Sequence, residues 1–173
     1  MFKYLSLVLF LYLPSILGAS TFASEMVKDS SALTTIIFVR HAEKADDGTR
    51  NPPLNAYGHR RAAVLAQMLH LSNITGIYST PFHRTQQTVT PLAKQLGLEV
   101  QEYPPLNVEA LDKLVMAQAG KTILVVGHSN TVPAMVNHLL GSEKLQQLSE
   151  NEYDKVFIVQ ITGDQAHLLQ LSF

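Results

Sequence analysis

Short runs of β-branched and aromatic residues alternate with longer segments of helical periodicity along most of this chain. The runs at residues 34–39 (TTIIFV) and 122–126 (TILVV) are wholly β-branched, aromatic or aliphatic, which is typical of strands buried on both faces of a sheet. Residues 56–71 carry apolar side chains three and four positions apart, which predicts an amphipathic helix. By the same criteria we predict further strands at residues 76–78, 98–103, 155–161 and 166–171, and further helices at residues 82–96, 107–119 and 131–140.

Three local signals refine these elements. Pro91 lies inside the second predicted helix, where its missing N–H and its ring predict a kink or a break. Asn130 directly precedes the helix at residues 131–140 and is expected to be its N-cap. Residues 162–165 (TGDQ) separate the last two strands and predict a hairpin.

Strands that alternate with helices indicate the class of the fold. We expect an α/β protein, built as a single three-layer α/β/α domain with a mostly parallel central sheet and a C-terminal β-hairpin. In such sheets, ligands bind at the carboxyl ends of the strands. Two of the buried strands run directly into Arg40-His41 and Gly127-His128, so the sequence predicts two histidines at one edge of the sheet.

The first 23 residues differ from the rest of the chain. Lys3 is their one charged residue, residues 5–17 are almost wholly apolar, and Thr21 and Ala23 precede Ser24. This layout predicts a signal peptide at residues 1–23 and a folded domain at residues 24–173. The alternative, a transmembrane anchor, is disfavoured because the apolar run is shorter than the roughly 20 residues that span a bilayer. We therefore expect a periplasmic or secreted protein with no stable membrane anchor.

Composition narrows the possible partners. The chain has 173 residues, 46% hydrophobic and 16% charged, with a net charge of −1, which fits a folded domain and offers no basic surface for nucleic acid. It contains no cysteine, which excludes disulfide and thiolate chemistry. Its 7 histidines show no His-x-x-x-His or His-Glu-x-x-His spacing, so we expect no zinc site and no other metal or cofactor. The sequence leaves the oligomeric state open.

Four basic residues together suit phosphoryl transfer: Arg40, His41, Arg84 and His128. Arginine is permanently charged and matches phosphate oxygens with planar donors. A neutral imidazole can attack phosphorus and carry the phosphoryl group, while a second imidazole, once protonated, can donate to the same oxygens. Taken singly, each of the four is more ordinary as a loop or surface residue, so the prediction depends on their combination.

Four segments in order along the chain resemble the motifs of the histidine phosphatase superfamily, which is also called phosphoglycerate-mutase-like. The family motifs are Arg-His-Gly-Glu, a Leu-Thr-x-x-Gly step into the first helix, Ser-x-x-x-x-Arg-x-x-x-Thr, and Gly-His-Gly-Asn. The corresponding residues here are, in that order, 39–43 (VRHAE), 54–58 (LNAYG), 78–88 (YSTPFHRTQQT) and 127–130 (GHSN). The ordered set is far more specific than any one motif, and with the short chain it resembles a compact secreted bacterial type.

The resemblance implies a role for each of the four basic residues. His41 would be the nucleophile that becomes phosphorylated, and Arg40 and Arg84 would clamp the phosphoryl oxygens. His128 would stabilise the transferring group, best as a cation in the presence of the phosphate dianion.

Two further positions follow the second histidine. The backbone N–H groups of Ser129 and Asn130, at the start of a predicted helix, would add donors to the phosphate site. Ala42 and Ser129 stand where the family motifs have glycine, and each adds a side chain close to the predicted phosphate pocket.

Glu109 is the candidate general acid. In the mutase-like branch of the family that acid is a glutamate some two dozen residues after the second arginine, and Glu109 lies 25 residues after Arg84 (109 − 84). The Gly-Glu-Trp-like segment that should follow is absent, and a solvated residue in the first turn of a helix is an equal alternative. The chain also resembles compact bacterial phosphohistidine phosphatases, which manage without a strong carboxylic acid.

The resemblance implies a metal-independent phosphatase that works through a phosphohistidine intermediate. With the predicted export, its substrate would be an extracytoplasmic phosphomonoester, either a small molecule such as a sugar phosphate, a lipid-linked envelope phosphate or a peptide phosphate. A module that binds phosphate or sugar phosphate without turnover and a phosphohistidine phosphatase are the alternatives. A phosphoglycerate mutase is disfavoured because its substrates are cytoplasmic.

Overall fold

The computed structural model describes residues 32–105 and 107–173. In those residues the chain forms six strands and four helices. In chain order they are β1 (Thr34–Arg40), α1 (Ala56–Leu69), β2 (Ile74–Ser79), α2 (His83–Leu96), β3 (Val100–Glu102), α3 (Val108–Ala117), β4 (Thr122–Gly127), α4 (Thr131–Leu140), β5 (Lys155–Thr162) and β6 (Gln165–Ser172).

The strands form one six-stranded sheet in the order β3-β2-β4-β1-β5-β6. Strands β3, β2, β4 and β1 are parallel to one another, and β5 runs antiparallel to β1. Strands β5 and β6 pair over their whole length around a tight turn that contains Gly163, whose φ is 56°. The structure confirms the predicted α/β class, the mostly parallel sheet and the C-terminal hairpin.

Side chains alternate between the two faces of the central strand β1. Ile37 and Val39 pack with the buried residues of α1 and α2 on one face. Ile36 and Phe38 pack with those of α3 and α4 on the other face. Both faces are therefore covered by helices, which explains why β1 and β4 carry continuous apolar runs rather than an alternating pattern.

The prediction of a break at Pro91 is wrong, because α2 continues through it to Leu96. Val89, Leu92 and Ala93 lie on both sides of the proline and are all buried against the sheet. Burial of this apolar face on both sides of Pro91 holds the helix together where local propensity would end it. The smaller differences are at element ends: the strand expected at residues 98–103 is the three-residue β3, and α1 and α3 end two residues early.

Asn130 lies at the N-cap position of α4, but its side chain makes no capping hydrogen bond. Its backbone is already helical, with φ −94° and ψ −39°, whereas a capping side chain requires an extended backbone. Asn55, before α1, shows that extended geometry and accepts a hydrogen bond from the backbone N–H of Gly58 at 2.9 Å.

The predicted signal peptide, residues 1–23, lies outside the described residues. Within the described ranges, no helix has both the length and the apolar character needed to cross a membrane.

Candidate active site

The register of two neighbouring strands brings the two predicted histidines together. Strands β1 and β4 are adjacent and parallel, with Arg40 opposite Gly127. The backbone N–H of His41 donates to the carbonyl of Gly127 at 3.0 Å, so the pairing continues one residue beyond the strand. His41 and His128 therefore leave the same edge of the sheet, and their ring centroids lie 5.4 Å apart in an edge-to-face arrangement.

One hydrogen bond determines which nitrogen of His41 is available for chemistry. Nδ1 lies 2.8 Å from the carbonyl oxygen of Ala42, and since a carbonyl only accepts, Nδ1 must carry the proton. The lone pair of the neutral ring is then on Nε2. Burial of the ring, and after it the charges of Arg84, His128 and Arg40, lowers the pKa of His41 to about 3. His41 is therefore neutral near pH 7, as a nucleophile must be.

His128 is held by partners on both ring nitrogens. Nε2 lies 3.1 Å from the hydroxyl oxygen of Thr80, and Nδ1 lies 3.5 Å from Nη2 of Arg84. Burial, followed by the charges of Arg84 and Arg40, lowers the pKa of His128 to about 4. His128 is thus neutral in the free protein, and the cation expected from the sequence requires the opposing charge of a bound dianion.

Arg40 is fixed by a segment that the sequence did not single out. Its Nη1 donates to the backbone carbonyls of Ser149 at 2.6 Å and Glu152 at 3.2 Å, and its Nη2 lies 3.5 Å from a carboxylate oxygen of Glu150. The guanidinium also stacks on the ring of Tyr153, 4.2 Å from the centroid. Nε of Arg40 is buried and has no partner in the part of the chain that the structure describes, so this N–H remains a free donor.

Arg84 has a matching support at the start of α2. Its guanidinium lies 4.6 Å from the ring centroid of Phe82, and the same ring meets His128 edge-on at a centroid distance of 5.1 Å. On the other side of the site, the ring of Tyr153 lies 6.1 Å from that of His41. Each arginine is therefore stacked on an aromatic ring, a feature that neither the motifs nor the hydrophobic pattern indicates.

The remaining sequence candidates are placed less closely. Ser129 and Asn130 directly follow His128 at the start of α4, where backbone N–H groups without helical acceptors are expected. Glu109 lies in the first turn of α3, with both it and Lys113 exposed and their charged groups 2.6 Å apart. No contact among the described residues joins Glu109 to His41 or His128.

The residue after His41 is buried away from solvent. Ala42 is 1% exposed and belongs to a small apolar cluster with Leu54 and Ala62, and its backbone N–H donates to the hydroxyl of Thr88 at 2.9 Å. The side chain of Ala42, at the position where the motif has glycine, therefore contributes to packing beneath the loop that follows β1.

Among the residues that the structure describes, no group of three or more His, Cys, Asp or Glu side chains could hold a metal ion.

The pKa of His41 makes a prediction for stability in acid. Because its pKa is about 3 in the fold and near 6.5 when unfolded, the unfolded chain binds the extra proton as the pH falls from about 6.5 towards 3. The free energy of unfolding should therefore fall over this interval, by up to about 1.4 kcal/mol per pH unit from this one group. Urea unfolding from pH 7 to 4 should show a shallower fall for His41→Gln than for the wild type. Parallel curves would contradict the prediction.

Comparison with known proteins places this geometry in context. A model of the histidine phosphatase superfamily (branch 1) matches residues 36–108. The "Probable phosphoglycerate mutase GpmB" of Yersinia enterocolitica is 35% identical over 78 residues, which are 42% of this chain and 36% of that protein. "Phosphoserine phosphatase 1" of Hydrogenobacter thermophilus is 35% identical over 74 residues, 39% of this chain and 35% of that protein. The match thus spans about a third of each of these curated relatives.

The fold has counterparts among solved structures. The protein histidine phosphatase SixA, solved with tungstate, matches 80% of this chain and 96% of its own, with a TM-score of 0.66 and 20% identity. At that identity the likeness shows a shared fold. The family model therefore matches the part of the chain that carries Arg40, His41 and Arg84, and the likeness to SixA shows the fold.

Proposed function

We propose that this protein is a metal-independent phosphatase that hydrolyses phosphomonoesters through a phosphohistidine on His41. The observation that carries the proposal is the state of His41: a neutral ring whose Nδ1–H is held by the Ala42 carbonyl, with the Nε2 lone pair unengaged beside two arginines. The phosphatases among its relatives support the same class of reaction.

The geometry suggests how the two steps proceed. In the first, the Nε2 lone pair forms a bond to phosphorus while the bond to the leaving oxygen breaks, and that oxygen keeps the electron pair and takes a proton from a general acid or from solvent. Arg40 and Arg84 neutralise the charge on the phosphoryl oxygens, Arg40 through its free Nε–H. In the second, water attacks phosphorus, the bond to Nε2 breaks, and phosphate leaves with His41 neutral again.

The charge on the two guanidiniums is the basis for metal independence. A metal ion in phosphoryl transfer neutralises the equatorial oxygens, and Arg40 and Arg84 would supply that positive charge here. His128 would add a donor once the dianion raises its pKa from about 4. The backbone N–H groups at Ser129 and Asn130 would complete the set.

The next question is whether Glu109 is the general acid that protonates the leaving group. Glu109 was the candidate from the sequence, yet its carboxylate is exposed and 2.6 Å from the ammonium of Lys113. We expect Glu109→Gln to change kcat by less than about threefold on both a sugar phosphate and an activated aryl phosphate. A loss of about 10²-fold on the sugar phosphate alone would instead identify Glu109 as the acid, because only the poor leaving group needs the proton.

A phosphohistidine phosphatase is the second candidate, and one observation favours it. No described carboxylate contacts the histidine pair, and a phosphorylated imidazole is a leaving group that solvent can protonate. SixA, which shares the fold, is named as a protein histidine phosphatase. A binding module without turnover is the third candidate and shares the same pocket.

The substrate class rests on the predicted signal peptide. If residues 1–23 direct export, the reachable substrates are sugar, envelope-lipid and peptide phosphates in the periplasm or outside the cell. The partner of the protein would then be a small-molecule or lipid-linked phosphomonoester and not a nucleic acid.

The decisive experiment is hydrolysis by the purified protein with EDTA present. The panel should include sugar phosphates, a lipid phosphate, phosphopeptides and a phosphohistidine peptide. We expect release of inorganic phosphate from at least one member, at a rate that added Zn²⁺ or Mg²⁺ does not change. Activity that EDTA abolishes and a metal restores would refute metal independence. Binding of phosphate with no release from any member would favour the binding module.

A further inference from the structure

A chain of two threonine hydroxyls lies behind His128. The hydroxyl of Thr80 is 3.1 Å from Nε2 of His128 and 3.0 Å from the hydroxyl of Thr85. The hydroxyl of Thr85 in turn lies 2.8 Å from the carbonyl of Thr80 and 2.8 Å from that of Phe82. Both threonines are 0% exposed, so solvent does not compete for these bonds.

The proton positions in this chain can be counted from the carbonyl end. Carbonyl oxygens only accept, so the single hydroxyl proton of Thr85 is donated to them. The oxygen of Thr85 must then accept the hydroxyl proton of Thr80. Thr80 has no further proton to give, and its oxygen can only accept from His128. This count places a proton on Nε2 of His128.

The contact at the other ring nitrogen, Nδ1, indicates the same proton position. Nδ1 of His128 lies 3.5 Å from Nη2 of Arg84, and a guanidinium has donors only. A neutral ring carries one proton, so Nδ1 facing a donor should present its lone pair. Two independent sets of contacts thus favour the same tautomer, with hydrogen on Nε2 and the lone pair on Nδ1.

We infer that Thr80, supported by Thr85, is a positioning residue that fixes the Nε2–H tautomer of His128 and leaves Nδ1 as the atom that faces the phosphate. The catalytic part of this inference rests on the proposed phosphatase function, whereas the tautomer does not. Arg84, the clamp arginine, lies on the Nδ1 side of the ring, while the buried Thr80 lies on the Nε2 side.

The tautomer determines where a second proton enters His128. With Nε2–H already donated to Thr80, the ring can gain a proton only on Nδ1, which then becomes a donor to the phosphoryl oxygens. The charged and titratable groups that face the ring are Arg84, Arg40 and the neutral His41. Burial of the ring and the charges of the two arginines oppose that protonation until a dianion binds. Protonation of His128 is therefore coupled to substrate binding.

The test uses full-length protein with ¹⁵N-labelled histidine, so that the ring nitrogens report the tautomer without any need for turnover. At pH 7 the wild type should show a pyrrole-type Nε2 and a pyridine-type Nδ1 for His128. Thr80→Val, which removes the acceptor at nearly constant volume, should give mixed tautomers, and Thr80→Ser should restore the wild-type spectrum. A wild-type spectrum with hydrogen on Nδ1, or no change in Thr80→Val, would overturn the inference.

Thr85→Val provides a second variant in case Thr80→Val fails to fold. Removing the Thr85 oxygen frees the Thr80 hydroxyl proton to be donated to Nε2, so the Nδ1–H tautomer of His128 should increase. An unchanged tautomer in a folded Thr85→Val protein would show that the hydroxyl chain does not control the ring.

Kinetics connect the tautomer to catalysis. We expect kcat to fall about tenfold in Thr80→Val with KM changed less than about twofold, the pH profile of kcat to shift, and Thr80→Ser to stay within about threefold of the wild type. If no substrate of the panel is hydrolysed but the tautomer shifts as expected, the phosphatase proposal fails and the role of Thr80 stands. If turnover is robust and Thr80→Val does not change it, the phosphatase proposal stands and the catalytic role of Thr80 fails.

Discussion

Replacing His41 with alanine should reduce the turnover of every hydrolysed substrate by about 10⁴-fold or more, as for other covalent nucleophiles. The reason is that the ring of His41 is neutral at pH 7 and the lone pair on its Nε2 has no hydrogen-bond partner among the described contacts. No other ring nitrogen of the histidine pair combines these two properties. Single-turnover release of phosphate under saturating protein measures the loss. His167→Ala is the matched control, because this exposed histidine lies on β6 and should leave the rate unchanged.

The same variant should still bind inorganic phosphate, because Arg40 and Arg84 keep their supports from the 149–153 segment and from Phe82. Titration calorimetry in the wild type and in His41→Ala would measure this binding. Wild-type protein incubated with labelled substrate and quenched in alkaline denaturant, in which phosphohistidine is stable, should carry phosphate on His41. Turnover that survives His41→Ala, or label on another residue, would show that the nucleophile has been assigned incorrectly.

Gly58→Ala should destabilise the fold by about 3 kcal/mol, at the upper end of typical overpacking costs. A Cβ at Gly58 would overlap the backbone carbonyl oxygen of Glu43, an atom that also accepts the backbone N–H of Asn55 at 2.9 Å. Neither backbone can retreat easily, because Asn55 caps α1 through Gly58 itself. The close approach lies two residues after His41, so strain released there would also displace the ring of His41.

Urea unfolding monitored by circular dichroism measures the cost. Ala63→Gly, an exposed position on the same helix, is the control for the helix propensity of the two residue types and should cost about 1 kcal/mol. By propensity alone Gly58→Ala would be stabilising, so the two effects have opposite expected signs. An unchanged or higher stability of Gly58→Ala would show that the loop after β1 can move away from α1.

Much of this architecture follows from local pattern. The apolar runs of β1 and β4 specify buried parallel strands, and placing Arg40-His41 and His128 after them was enough to bring the histidines to one edge. Pro91 and Asn130 show the limit of local rules. Packing of α2 on the sheet outweighs the proline, and the helical backbone at Asn130 leaves no room for a capping side chain.

The contacts that hold Arg40 could not be predicted from the sequence, and the reason is a different one. The hydrogen bond from Arg40 to the carbonyl of Ser149 joins residues 109 positions apart, and the segment that supplies it looks like an ordinary polar loop. Backbone carbonyls leave no mark on a sequence because every residue has one. Thr80 and Thr85 were within a recognised motif, but the direction of their hydroxyl protons becomes apparent only when all the acceptors are located.

The support of Arg40 by main-chain carbonyls has a consequence for how this protein can vary. A substitution at Ser149 leaves its carbonyl in place, so this position can vary with little penalty at the arginine. Glu152 is more constrained, because its carboxylate accepts the backbone N–H of Ser149 at 2.8 Å and helps to hold the segment. The length of the segment is constrained as well, since a one-residue insertion or deletion would move the carbonyls of Ser149 and Glu152 at once. Homologues that share this support should therefore preserve the length of the loop before β5 more strictly than its amino-acid sequence.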